Sequence, residues 1–178
     1  MIFELFRKKK RNQPIVDRQY ASLTSAARVP FFYTDLGVPD TVMGRFEMLS
    51  IVMILFFRRT AQSGVSGQEL AQEIVDAFFQ DIDHSIRELG IGDPSVPKRM
   101  KKLAGMFYGR LESYAAALDA KDPDSLALAL ARNLHPGASP APPMRELADW
   151  MIFAEAALAE ISEDEIARGT LLIPAPEK

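Results

Sequence analysis

Apolar side chains recur along this chain at helical spacing, and no stretch alternates with the period of two that a half-buried strand needs. The plainest stripe is Leu70, Ile74, Phe78, Ile82 and Ile86, stepping by fours. A second, Met100, Leu103, Phe107, Leu111, Tyr114 and Leu118, steps by threes and fours. Ahead of both lies residues 48–57, MLSIVMILFF, apolar on nearly every side and flanked by Arg45, Glu47, Arg58 and Arg59. A membrane-crossing helix needs about 20 apolar residues, and this run has ten positions including Ser50. It predicts a core helix surrounded by other helices.

Capping and breaking residues set the boundaries. Residues 15–28 form a first helix closed by Pro30, and residues 31–37, FFYTDLG, read as a loop with aromatic anchors. Asp40 or Thr41 caps the helix that carries the apolar run to about Ala61, where Ser63 and Gly64 end it. Ser66 and Glu69 have capping-box spacing for the next helix, and Gly90 supplies its stop. Pro97 suits a first helical turn, and Asp122-Pro123 makes a cap and first position for a helix to about Leu134. After the proline-rich residues 135–143 come a helix at about 143–161, a capping box from Ser162 to Glu165, and a tail that is not helical throughout. The expectation is an all-α single domain of six or seven helices. Residues 1–14 form a basic, partly flexible segment, 15–168 the helical domain, and 169–178 the tail.

Composition narrows the chemistry. The 178 residues contain no cysteine and two histidines, His84 and His135, which excludes disulfides, thiolate nucleophiles and most histidine-based metal sites. The net charge of −3 hides a segregation: residues 1–11 carry five bases and one acid, residues 146–165 seven acids and no base. Phe3 and Phe6 beside Arg7, Lys8, Lys9, Lys10 and Arg11 suit an anionic membrane surface. In a secretory signal the charges precede the apolar stretch, and here the order is reversed, so the expected location is the cytoplasm, at the inner face of the membrane.

Three constellations are candidates for function. Asp81, His84, Ser85 and Glu88 share one helix face, fit for a metal or proton transfer or for a solvated face on which Asp83 and Arg87 pair. Lys98, Arg99, Lys101 and Lys102 crowd the start of the next helix, where the dipole favours negative charge. Compensation by the preceding acidic face predicts a folded-back helix pair, and the functional reading is a patch for RNA phosphates or acidic protein segments. Gly105 and Gly109 make a smooth face beside Tyr108 and Arg110, for either an intramolecular helix crossing or a partner helix. His135 reads as a surface residue, and Trp150, Met151 and Phe153 as core.

Residues 81–114, DIDHSIRELGIGDPSVPKRMKKLAGMFYGRLESY, resemble the signature of the ubiquinol–cytochrome c chaperone family. The matching positions are Asp81, Asp83, His84, Arg87, Glu88, Gly90, Gly92 and Asp93, then Val96, Pro97, Lys98, Phe107, Tyr108, Gly109, Arg110 and Tyr114. A looser similarity reaches back to Arg45. Gln80 and Val52 depart from the family pattern, where an acid and a histidine are expected. The resemblance implies a bacterial-type, non-enzymatic assembly factor of the quinol–cytochrome c reductase, with cytochrome b as client. It also implies a small helical partner and the ribosome as further partners; it implies no cofactor, no metal and no DNA. The client- and partner-binding residues expected on it are Asp81, Asp83, His84, Arg87, Glu88, Lys98, Lys101, Lys102, Gly105, Tyr108, Gly109 and Arg110. The alternatives are a helical RNA- or ribosome-binding module and a metal-binding enzyme using Asp81, His84 and Glu88.

Overall fold

The structure, a computed structural model, describes residues 2–88 and 93–176, with side chains for 12–88 and 94–176. In chain order the helices are α1 (Ile2–Ala26), α2 (Phe31–Thr34), α3 (Val42–Thr60), α4 (Val65–Glu88), α5 (Val96–Asp119), α6 (Pro123–Leu134), α7 (Arg145–Ala159) and α8 (Glu163–Ala167). A 3-10 turn, Asp93–Ser95, leads into α5. Among the described residues there is no strand, and six long helices with two single-turn ones make the all-α domain that the periodicity predicts.

Helix α3 is the axis. Met48 and every residue from Ser50 to Phe56 are buried, and α1, α4, α5, α6 and α7 all pack against this helix. An apolar surface on every side must be covered on every side, so the run dictates the jacket around it. The polar side chains within it are each satisfied. Ser50 donates to the Phe46 carbonyl at 2.8 Å and Thr60 to that of Phe56 at 2.9 Å. Glu47 accepts two hydrogen bonds from Arg110 of α5, at 3.0 Å from Nε and 2.7 Å from Nη2. These bonds, more than the opposing cost of burial, hold the Arg110 guanidinium protonated beyond its ordinary range.

The helix ends follow local chemistry. Thr41 accepts from the Gly44 amide at 3.0 Å. Asp122 accepts from the amides of Asp124 and Ser125, both at 3.1 Å, and from the Ser125 hydroxyl, which lowers its pKa. Ser162 and Glu165 form the expected reciprocal capping box. Gly44 is required by contact, because a Cβ there would stand 1.8 Å from the Pro39 carbonyl oxygen. Gly169 is required by conformation and contact together: its φ is +64°, and a Cβ would lie 2.6 Å from the Ile15 oxygen.

Several expectations are corrected. The first helix begins at Ile2 and runs through Pro14 rather than starting after it. The segment FFYT is one turn of helix, not loop, with Phe32 buried against Trp150. Ser66 is a first-turn residue and not the cap of α4. That helix opens at Val65, where Glu163 of α8 accepts from the Gly64 amide and the Ser63 hydroxyl, both at 3.1 Å. Arg59 completes the junction, bonding Glu163 at 3.0 Å and the Leu158 carbonyl at 3.0 Å, and it depresses the Glu163 pKa. A tertiary acid thus replaces the local one. Phe153 is 54% exposed, whereas Trp150 and Met151 are core. His135 reaches the Gly37 carbonyl at 2.9 Å. The tail is stitched down: Gln19 exchanges hydrogen bonds with Leu171 at 2.9 and 3.0 Å, and Trp150 donates to the Pro174 carbonyl at 3.1 Å.

The Glu47–Arg110 pair is the ionic contact buried most deeply among those that join helices. Removing one member of a buried pair strands the other charge. Glu47→Gln is expected to cost about 3 kcal/mol in urea unfolding, and Glu47→Leu/Arg110→Leu less than that.

Candidate functional site

The second half of α4 and the first half of α5 carry the residues singled out above. They pack together, as expected, through aromatic rings rather than through charge. Phe78 lies 5.2 Å from Phe107, Phe79 lies 6.1 Å from Phe107, and Phe79 lies 6.4 Å from Tyr108, centroid to centroid. The acids of α4 serve other partners. Asp83 binds Arg87 at 2.8 Å, and His84 Nε2 lies 3.2 Å from Glu88, both pairs well exposed. Asp81 accepts from the Tyr20 hydroxyl at 2.9 Å. Burial, and then that hydrogen bond, push the Tyr20 pKa up. Among the described residues no ion pair joins Lys98, Lys101 or Lys102 to a carboxylate. The expected charge compensation between the two helices is therefore absent from this pairing, because the apolar stripes set the approach of the helices and the acids find nearer partners on α4 and α1.

Gly105 and Gly109 decide between the two readings of the small-residue face. An added Cβ at either position meets nothing within 4 Å, so among the described residues no helix crosses there. Both glycines face solvent, and Tyr108 between them is 55% exposed with its ring against Phe79. Each interior glycine costs a helix about 1 kcal/mol relative to alanine, and none of the described residues uses the room they leave. Arg110 also has a partner within the fold: Nε and Nη2 both donate to Glu47.

A cleft of about 570 Å³ escaped the sequence reading. It opens on the other side of α4, between α1, α2, α3 and α5. Phe46, Leu49, Ile82, Ile86 and Leu103 line it, with Arg28, Val42, Met43, Arg45, Asp81 and Ser85 at its mouth. The signal was present in Val42 and Met43, apolar residues in the first turn of α3 outside the buried run, and they are 67% and 44% exposed. Asp81 and Ser85, read with His84 and Glu88 as one face, line this cleft, while His84 and Glu88 pair with each other. No group of three metal-ligating side chains forms among the described residues. The side chains of Phe3, Phe6, Arg7, Lys8, Lys9, Lys10 and Arg11, and the signature residues Gly90 and Gly92, lie outside the described ones. No helix among the described residues is long and apolar enough to cross a membrane.

The family model described as "Ubiquinol-cytochrome C chaperone" matches residues 34–173, from the end of α2 to the tail. The chain belongs to that family. The crystal structure of the Cbp3 homolog from Brucella abortus superposes with a TM-score of 0.86 at 47% identity, covering 98% of this chain and 97% of that one. The chain is also 24% identical over 117 residues to "Ubiquinol-cytochrome-c reductase complex assembly factor 1" of Xenopus laevis. That match takes in 66% of this chain and 58% of the frog protein. In this member of the chaperone family the matched span contains both faces of α4, the open glycine face of α5 and the whole buried run of α3.

The glycines give a test with an unusual sign. Gly105→Ala and Gly109→Ala are each expected to stabilise the fold, by about 0.5–1 kcal/mol in urea unfolding, since the new methyl meets only water and the helix gains propensity.

Proposed function

We propose that this protein is an assembly factor of the ubiquinol–cytochrome c reductase that holds the newly made cytochrome b polypeptide, without catalysing a reaction. Family membership supports the reductase. The observation that favours a polypeptide client is the open face of α5, where two glycines that meet nothing among the described residues stand beside a half-exposed tyrosine and lysines with no ion pair among those residues. A face without side-chain bulk lets another helix come close, and Tyr108 supplies a large contact at little entropic cost. Lys98, Lys101 and Lys102 at the head of α5 suit acidic segments of the client or of a small helical partner. Asp83, His84, Arg87 and Glu88 form the polar border of the same surface on α4. A place at the ribosome and at the cytoplasmic face of the inner membrane belongs to the same proposal. There the basic N-terminal segment keeps the protein where its client inserts.

Two experiments test this. The tagged protein is recovered from its native host after gentle solubilisation, and copurifying proteins are identified by mass spectrometry. Cytochrome b is expected with the parent chain, reduced several-fold by Gly105→Leu/Gly109→Leu and unchanged by Lys121→Gln. Recovery of ribosomal RNA alone, falling steeply with salt, would replace the client reading with an RNA-binding one. Separately, glutamine at Arg7, Lys8, Lys9, Lys10 and Arg11 is expected to abolish most binding to anionic vesicles. Unchanged vesicle binding would remove the membrane-surface role.

A further inference from the structure

The cleft between α1, α2, α3, α4 and α5 lies across α4 from the glycine face and belongs to no role assigned above. Its floor is made by Ala27, just past the end of α1, and by Phe46, Leu49, Ile82, Ile86 and Leu103 of α3, α4 and α5, all buried or half-buried. A volume of about 570 Å³ is in the range of small-ligand sites, which are mostly apolar with a few convergent polar groups at the edge. Those groups are here. Arg28 and Arg45 stand at the mouth, both exposed. Arg28 makes no ion pair among the described residues. Among the described residues Arg45 pairs only with Asp40, at 2.8 Å on a surface more than half open to water. Such an exposed pair is worth little and exchanges readily for a better acceptor. The one carboxylate in the mouth, Asp81, is engaged by the Tyr20 hydroxyl.

Apolar depth and a guanidinium-bearing rim call for an occupant with an apolar body and an anionic head. Size selects among such occupants. A helix about 10 Å across needs roughly 420 Å³ for each turn, so the cleft takes in little more than one turn. An extended peptide brings unpaired backbone groups into an apolar floor, at a cost of a kcal/mol or more each. A single acyl chain has neither problem, and a carboxylate head meets a guanidinium in paired hydrogen bonds. We propose that this cleft binds one free long-chain fatty acid, chain inward along Phe46, Leu49 and Ile82, carboxylate at Arg28 and Arg45.

The probe is cis-parinaric acid, titrated by fluorescence into the full chain below its micellar range, with oleate and oleyl alcohol as competitors. Saturable binding at one site is expected, displaced by oleate and far less by oleyl alcohol. Arg28→Gln/Arg45→Gln is expected to weaken it about tenfold, as loss of a charge-assisted contact would. Met43→Glu, a change at an exposed position, is expected to block it with the helical circular dichroism intact. Three results would overturn the proposal: no saturable binding, equal displacement by acid and alcohol, or an apolar helical peptide that occupies the cleft and resists oleate. Cytochrome b recovery through the α5 face is read independently, so either idea can fail alone.

Discussion

Helix α3 buries side chains around its whole circumference, and most of the architecture is the consequence of covering it. A helix with one apolar stripe can lie on a surface; a helix apolar on all sides has to be enclosed. Five helices do this, and they are themselves amphipathic, so each turns its polar face outward. The charged groups drawn inward by this arrangement are few and matched. Glu47 is bound by Arg110, and no buried side-chain polar atom among the described residues lacks a hydrogen bond. At the C-terminal end of the same helix Arg59 joins α7 to α8, while Arg58 binds Asp119 and Glu155. One long apolar run and the cations that close it therefore organise both ends of the chain.

Enclosure of α3 also separates the surfaces that remain. On α4 the stripe Leu70 to Ile86 faces inward, and where it passes the edge of the jacket Ile82 and Ile86 line the cleft. On α5 the inward positions are taken by Phe107, Tyr114 and Leu118, which leaves Gly105, Tyr108 and Gly109 outside. Helix propensity alone would fill such exposed positions with alanine, lysine or glutamate. Departures from local preference that bring no internal packing are where a requirement from outside the fold is to be sought.

The legible part of this molecule was whatever depends on neighbours in sequence. Periodicity located α3, α4 and α5. Side-chain caps located the starts of α3, α6 and α8, since Thr41, Asp122 and Ser162 act within three residues of themselves. The missed part depends on residues far apart. Ser66 carried the local signal for a cap, yet Glu163, about a hundred residues away, satisfies the start of α4. The pairing of Arg110 with Glu47 went unread, because Arg110 sat in a family signature and Glu47 lay outside the part of the chain where that signature is dense. The cleft is a gap between five elements, and no single segment spells out a gap. The glycine face stands between these cases. Its composition was visible, but only the fold shows that none of the described residues packs on its glycines.

Exposed apolar side chains invite self-association where they merge into one broad patch. Here that surface is divided. The Tyr108 face is bounded by Lys98, Lys101 and Lys102, the cleft mouth by Arg28 and Arg45, and Phe153 by Glu146 and Asp149. Charge placed between exposed apolar side chains keeps them from merging into one broad patch. The different charges around these patches give each a different electrostatic preference for what it meets. A uniformly mixed surface with the same net charge of −3 would lose that selectivity.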